Sequence, residues 1–200
     1  MMSVGDSASF IMDAEKFFTQ TAKMPMMPDF IEAGSSLTFD IKLVNVLTEE
    51  EYMEEQMRLA EERMRENEVR AGAEDGLLAD YLAANNINVA ARESGLIFIE
   101  KEKGSGEKVA PGKTVSVHYE GRLLDGTVFD SSIERGEPIE FPIGVGQVIP
   151  GWDEGISLMN VGGKAQLIIP SHLAYGERGA GTVVPAYSTL VFDVEVVGVK

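Results

Sequence analysis

The side chains of this sequence that could do chemistry together are aromatic rings and short aliphatics with few polar tips. They are spread between Val115 and Val196 at positions that would line one apolar cavity: Tyr119, Phe129, the single Trp at 152 and Phe192, with Asp130 directly after Phe129. The chain holds no Cys, two His and no cluster at metal-ligand spacing. Nucleophilic and metal-assisted chemistry therefore lack their usual groups. What remains is the chemistry of a dry, shaped hollow, which acts by stripping water from a substrate rather than by reacting with it.

The elements that must position these residues can be read from their periods. In VSVHYEG, Val115, Val117 and Tyr119 alternate with Ser116 and His118, so Tyr119 faces inward on a strand and His118 outward. LLDGTVF at 123–129 places an Asp-Gly turn between apolar residues, a hairpin signal. GQVIPGW leads an extended apolar segment into a short helix on which Trp152, Ile156 and Met159 share a face. KAQLIIP reads as a strand, and residues 171–187 are too rich in Gly and Pro to be regular. Leu190, Phe192, Val194 and Val196 then alternate as a half-buried strand does. Taken singly, Trp152 or any of the rings would read as plain core, and Asp130 as a turn cap; only their joint placement suggests a pocket. His118 and His172 read as solvent-exposed residues without a role. The GSGEK and GVGQ runs fit neither phosphate-binding fingerprint and read as turns.

Four blocks in order, VHYEGRLLDGTVFDSS, GQVIPGWDEGISLMNVGGKAQLIIP, LAYGERGAG and STLVFDVEVVGV, resemble the FKBP family of peptidyl-prolyl cis-trans isomerases over about residues 95–200. The resemblance implies a five- or six-stranded twisted antiparallel sheet wrapped around the Trp152 helix, with a proline-binding pocket between them. By motif position it implies Trp152 as the floor and Tyr119, Phe129, Val148, Ile149, Tyr175 and Phe192 as walls. Asp130 becomes the acidic group beside the cavity. The Ile149 N–H becomes the donor to a substrate carbonyl, with Tyr175 in a similar orienting part. Arg135 becomes the cation that holds Asp130 and Tyr119 in register, and Phe141 and Val184 complete the substrate-binding set. Two positions depart from the family: Ile139 stands where Phe is common and Ala180 where an aromatic or His is common. Both reduce apolar area at the mouth, so altered preference for the residue before proline and weaker binding of macrolide inhibitors are expected.

Such a pocket needs no base. Resonance gives the peptide C–N bond a rotational barrier of about 18–20 kcal/mol, and X-Pro isomers, though close in energy, exchange over about tens to hundreds of seconds. The planar amide is more dipolar than the twisted one. A site that removes water and offers aromatic faces thus favours the twisted state, at ten-fold in rate for each ~1.4 kcal/mol. The expected substrates are proline-containing, unfolded or partly folded polypeptides, with no cofactor and no metal. The alternative is a non-catalytic holdase or assembly module that only grips proline segments.

A net charge of −16, from 17 basic and 33 acidic residues, argues against binding nucleic acid or anionic lipid. No apolar run reaches the roughly 20 residues of a membrane span. Met1 onward lacks a secretory pattern, which leaves localisation open between the periplasm or cell envelope, if a leader precedes, and the cytoplasm.

The first residues contain a partial internal repeat. VGDSASFIM at 4–12 parallels VGGKAQLII at 161–169, Phe18 stands to Pro28 as Tyr175 stands to Pro185, and LTFDIKLVNV at 37–46 echoes LVFDVEVVGV at 190–199. Residues 1–47 thus read as a truncated FKBP-like half-domain. Its uncovered strands would be completed either by a second copy, giving a homodimer, or by further strands in cis; association into a homodimer is the reading adopted. TEEEYMEEQMRLAEERMRENEVRAG predicts a helix with a Thr48/Glu51 capping box, a Met53, Met57, Ala60, Met64 stripe, a stop at Gly72 and a span of roughly 36 Å. A shorter helix around Leu77, Leu78, Tyr81 and Leu82 and a linker at 85–94 follow. The expectation is an α+β protein: half-domain 1–47, helical arm and linker 48–94, isomerase domain 95–200.

Overall fold

The computed structural model describes residues 2–28, 30–32 and 34–200. The chain divides at Ala60 into two compact units. In the first, β1 (Ser7–Asp13) pairs antiparallel with β2 (Ser36–Lys42). Between them a single helical turn, α1 (Ala14–Lys16), is capped by the Asp13 side chain, which accepts from the Lys16 N–H. A π-helical turn at Phe17–Thr21 follows, and Phe17 packs on Phe39 at 5.0 Å between ring centroids.

Helix α2 (Glu49–Ala84) is one continuous element. Its start is the expected capping box: the Thr48 N–H donates to Glu51 Oε2 at 2.8 Å and the Glu51 N–H to Thr48 Oγ1 at 3.2 Å. The expected stop at Gly72 does not occur, and the two helices read from sequence are one. A Cβ at Gly72 would meet nothing within 4 Å, so the glycine costs only its propensity, about 1 kcal/mol. Packing further along outweighs that cost. Leu78, Tyr81 and Leu82 join Ile87 and Leu124 against a small core of Ile97, Ile168 and Val191. The helix ends in a Schellman motif with Asn86 at φ 54°: the Asn86 N–H donates to Ala83 O and the Ile87 N–H to Leu82 O.

The second unit contains β3 (Ile97–Glu102), β4 (Thr114–Leu123), β5 (Val128–Ser131), α3 (Ser132–Arg135), β6 (Ile139–Pro142), α4 (Pro150–Ser157), β7 (Lys164–Ile169) and β8 (Leu190–Val199). Its antiparallel sheet has six strands in the order β3-β7-β8-β4-β5, with β6 also on β4. Val115, Val117 and Tyr119 of β4 are buried, as the alternation predicts, while Ser116 and His118 are half-buried. In β7 and β8 the alternation fails locally, because Ile168 and Val191 are buried as fully as their neighbours. Their face of the sheet carries the small core that α2 covers, whereas Leu167, Phe192 and Val194 belong to the main core with α4.

Trp152, Ile156 and Met159 are all buried in that main core, and α4 lies on β7 at a distance only glycine permits. A Cβ at Gly155 would stand 2.8 Å from both methyls of Leu167, which is wholly buried and cannot swing aside. Among the described residues no helix is long and apolar enough to cross a membrane. Two glycine substitutions should therefore have opposite signs in thermal unfolding. Gly155→Ala lowers stability by about 1–3 kcal/mol through overpacking, and Gly72→Ala raises it by about 0.5–1 kcal/mol. Equal effects would contradict the packing described.

Candidate active site

Between α4 and the sheet lies a cavity of about 400 Å³, lined by Tyr119, Phe129, Asp130, Ile139, Gln147, Val148, Ile149, Trp152, Tyr175 and Phe192. Each side chain arrives from an element fixed by its local sequence. Tyr119 comes from the inward register of β4, and Phe129 and Asp130 from β5 beyond the Asp-Gly turn. Trp152 comes from the first turn of α4, where Pro150 pre-sets the backbone. Val148 and Ile149 sit on the loop before that helix, which Asp153 holds from within α4: Oδ1 accepts from the Gly144 N–H at 2.8 Å and Oδ2 from the Gly146 N–H at 2.9 Å.

The rings form one cluster. Tyr119 and Phe192 both meet the indole edge-to-face, at 4.8 and 5.1 Å between centroids, and Phe129 meets Phe192 in the same manner at 5.6 Å. Gly121 on β4 makes room for the last pair: a Cβ there would lie 2.6 Å from Phe192 Cε1 and 2.8 Å from Phe129 Cζ. The indole Nε1–H is buried and finds no partner among the described residues.

The polar edge is a closed triangle. Tyr119 donates its hydroxyl hydrogen to Asp130 Oδ2, Arg135 Nη1 pairs with Asp130 Oδ1, and Arg135 Nη2 donates to the Tyr119 hydroxyl at 2.7 Å. The guanidinium also stands 5.5 Å from the Tyr119 ring centroid. Burial alone would push the Asp130 carboxyl up, but the hydrogen bonds from Tyr119 and Arg135 outweigh it and hold it below the usual carboxylate range. Burial, followed by the bond to Asp130, pushes the Tyr119 phenol up. Burial and the Asp130 charge do the same to Tyr175. The bond to Asp130, then that to Tyr119, raises the guanidinium. Asp130 is thus an acceptor throughout the neutral range and both phenols remain donors.

Of the residues singled out in the sequence, nine line the cavity: Tyr119, Phe129, Asp130, Ile139, Val148, Ile149, Trp152, Tyr175 and Phe192. Four do not. Arg135 reaches it only through Asp130 and Tyr119. Phe141 is buried against the indole at 5.5 Å. Ala180 and Val184 pair with each other in an isolated bridge within the loop after β7, and Val184 is turned into the core. Gln147 also lines the cavity, where a lone polar residue in a glycine-rich turn gives no signal in the sequence. His118 is not a free surface residue: it is half-buried, with Nδ1 3.1 Å from Ser132 Oγ, which also accepts from the Tyr119 N–H at 2.7 Å. His172 is exposed but bonded, its Nε2 lying 2.8 Å from Ser94 O.

A family profile described as FKBP-type peptidyl-prolyl cis-trans isomerase matches residues 105–197. FK506-binding protein 2 of Yarrowia lipolytica is 62% identical over 93 residues, 46% of this chain and 65% of that protein. A probable FKBP-type peptidyl-prolyl cis-trans isomerase of Haemophilus influenzae is 39% identical over 174 residues, 87% of this chain and 70% of its own length. Among solved structures, FkpA from Escherichia coli matches with a TM-score of 0.63 at 36% identity, over 78% of this chain and 75% of that one. The chain spans between 45% and 65% of the length of the first curated relatives it matches. With a relative 39% identical and covered over 70% of its length, the chain belongs to the FKBP-type peptidyl-prolyl cis-trans isomerase family.

Proposed function

We propose that residues 95–200 act as a peptidyl-prolyl cis-trans isomerase on proline-containing, unfolded or partly folded polypeptides. The observation that carries this reading is the open aromatic hollow itself, at whose edge Tyr119 and Asp130 are locked to each other and to Arg135. A pyrrolidine ring entering it leaves water and meets the faces of Tyr119, Trp152 and Phe192. The Ile149 N–H finds no acceptor among the described residues and is available to a substrate carbonyl, and the Tyr175 hydroxyl, in the lining of the same cavity, stays protonated. In this surrounding the planar, more dipolar amide loses its hydration while the twisted amide loses less, so the barrier falls without bond making. Macrolide inhibitors would enter the same hollow, with less contact at Ile139 than a larger ring would give.

The chain-level reading is an association module at 1–47, an arm at 48–94 and the isomerase domain. The β1–β2 pair supports it. Ser7 faces Lys42 and Met12 faces Leu37, the register in which the matching Lys164 faces Glu195 and Ile169 faces Leu190. Yet Ile11 and Val44 are 75% and 76% exposed, a surface suited to a second copy of the chain. Light scattering on the purified chain tests this: a dimer is expected, and a clean monomer with residues 1–47 sensitive to protease would retire it.

Phe129→Ala and Asp130→Val should each lower kcat/KM on an Xaa-Pro peptide by about ten-fold or more, that is ~1.4 kcal/mol of barrier or beyond, with the circular dichroism spectrum retained. Unchanged rates in both would refute the site. Acceleration of a proline-limited refolding phase separates an isomerase from a holdase, which suppresses aggregation but leaves the slow phase alone. The pH dependence follows from the signs. A lowered Asp130 pKa means that the ion-pair stabilisation is complete above the ordinary aspartate value of about 3.9 and is lost as pH falls through the lower folded value. The raised phenols stay neutral beyond their ordinary value of about 10. The profile of kcat/KM should therefore be flat from about pH 5 to 9; a titration near neutrality would contradict it.

A further inference from the structure

One carboxylate on α2 ties together both ends of the loop that carries Tyr175. Glu74 Oε1 accepts from the Ser171 N–H at 2.6 Å and from Thr189 Oγ1 at 2.8 Å, and Glu74 Oε2 accepts from Ser171 Oγ at 2.6 Å. Ser171 stands two residues beyond the end of β7 and Thr189 immediately before β8, and both are buried. The β7–β8 ladder closes at Ile169↔Leu190, so beyond that pair the neck of the loop is held by this side chain. Within the loop lie Tyr175, the Ala180–Val184 bridge and a bond from the Tyr187 N–H to Gly176 O at 2.9 Å. The segment following α2 grips the same assembly twice more. Ser94 O meets His172 Nε2 at 2.8 Å, and Arg92 Nε pairs at 2.6 Å with Glu154 on α4, the helix that carries Trp152.

Three hydrogen bonds from two buried residues converge on this one carboxylate, and those two residues flank a glycine-rich loop. We propose that Glu74 is a positioning residue for the isomerase reaction: by clamping the neck at Ser171 and Thr189 it sets where Tyr175 stands against the opposite wall of the hollow. The helical segment before the isomerase domain is then part of the site's support. This inference rests on the isomerase reading above.

Substitution separates clamping from charge. A glutamine at 74 keeps one carbonyl oxygen for the Ser171 N–H and the Thr189 hydroxyl, while its amide can donate to Ser171 Oγ; an alanine keeps nothing. In the full chain, at a temperature where all variants are folded, Glu74→Ala should lower kcat/KM by roughly three- to ten-fold, carried mainly by KM, because Tyr175 is held less firmly before substrate arrives. Amide hydrogen exchange at 171–189 should quicken while that of β4 is unchanged. Glu74→Gln should restore both readouts to within about two-fold of the parent. Thr189→Val, which removes one of the three donors, should move both in the same direction by less, and serves if Glu74→Ala folds poorly. An active parent whose kcat/KM and loop exchange are untouched by Glu74→Ala and Thr189→Val overturns the proposal, as does a loss that Glu74→Gln shares in full. An inactive parent overturns instead the isomerase reading on which it rests.

Discussion

An apolar hollow in water is under constant pressure to close, and the rest of this domain is arranged against that closure. Roughly 25 cal/mol is gained for each Å² of apolar surface withdrawn from water, so an aromatic-lined cavity of about 400 Å³ persists only if its walls cannot approach one another. Rigidity comes from three directions. Edge-to-face contacts set Tyr119 and Phe192 against the indole. The Tyr119–Asp130–Arg135 triangle fastens β4, β5 and the end of α3 at the rim. The Asp153 carboxylate holds the loop that brings Val148 and Ile149. The charged groups at the rim, Asp130 and Arg135, are thus engaged in holding the walls.

The division of labour between charge and chemistry follows from the same constraint. Asp130 and Arg135 look like an acid and its cation, yet each is satisfied by the other and by Tyr119, and the direction of every pKa shift in the set makes the neutral-pH protonation state more fixed. A general acid or base needs the opposite, a group poised near the working pH. The triangle is therefore a fastening. Its net effect on stability is small, since both ionic partners are well exposed and surface pairs contribute about 0–1 kcal/mol. Its effect on geometry is larger, because Arg135 reaches two residues that stand on different strands.

Much of this was legible in the sequence, and the boundary of legibility is physical. The period of two in VSVHYEG placed Tyr119 inward because one face of β4 meets the core, and the i, i+4, i+7 spacing of Trp152, Ile156 and Met159 placed the indole because α4 buries one stripe. Both are local patterns that report a single covered face. Two of the readings that failed concern a second covered face. The apolar run at 167–169 could not say that Ile168 packs away from Leu167, under α2, and Gly72 could not announce that packing at Leu78, Tyr81 and Leu82 would carry the helix past it. The Glu74 clamp joins residues 97 and 115 positions apart, a separation at which no spacing rule operates. Gln147 was silent for another reason, since a polar residue in a glycine-rich turn has the same appearance whether it faces solvent or a pocket.

The internal repeat shows how much of a fold its strand register can specify and where that stops. The bond from the Gly5 N–H to Leu43 O has its counterpart from the Gly162 N–H to Val196 O, both at 2.7 Å, and the return bond from Leu43 to Asp6 has its counterpart from Val196 to Gly163. Backbone pairing is therefore conserved between the two hairpins down to individual donors. Burial is not: Val196 is wholly buried and Leu167 likewise, whereas Phe10, which occupies the matching place to Leu167, is 45% exposed. Register depends on the alternation and turn-flanking residues within the hairpin itself, but burial depends on what lies above it. In the second unit that cover is α4, which also supplies Trp152. The same helix thus completes the core and floors the pocket, so a hairpin with the right register but no such helix has neither.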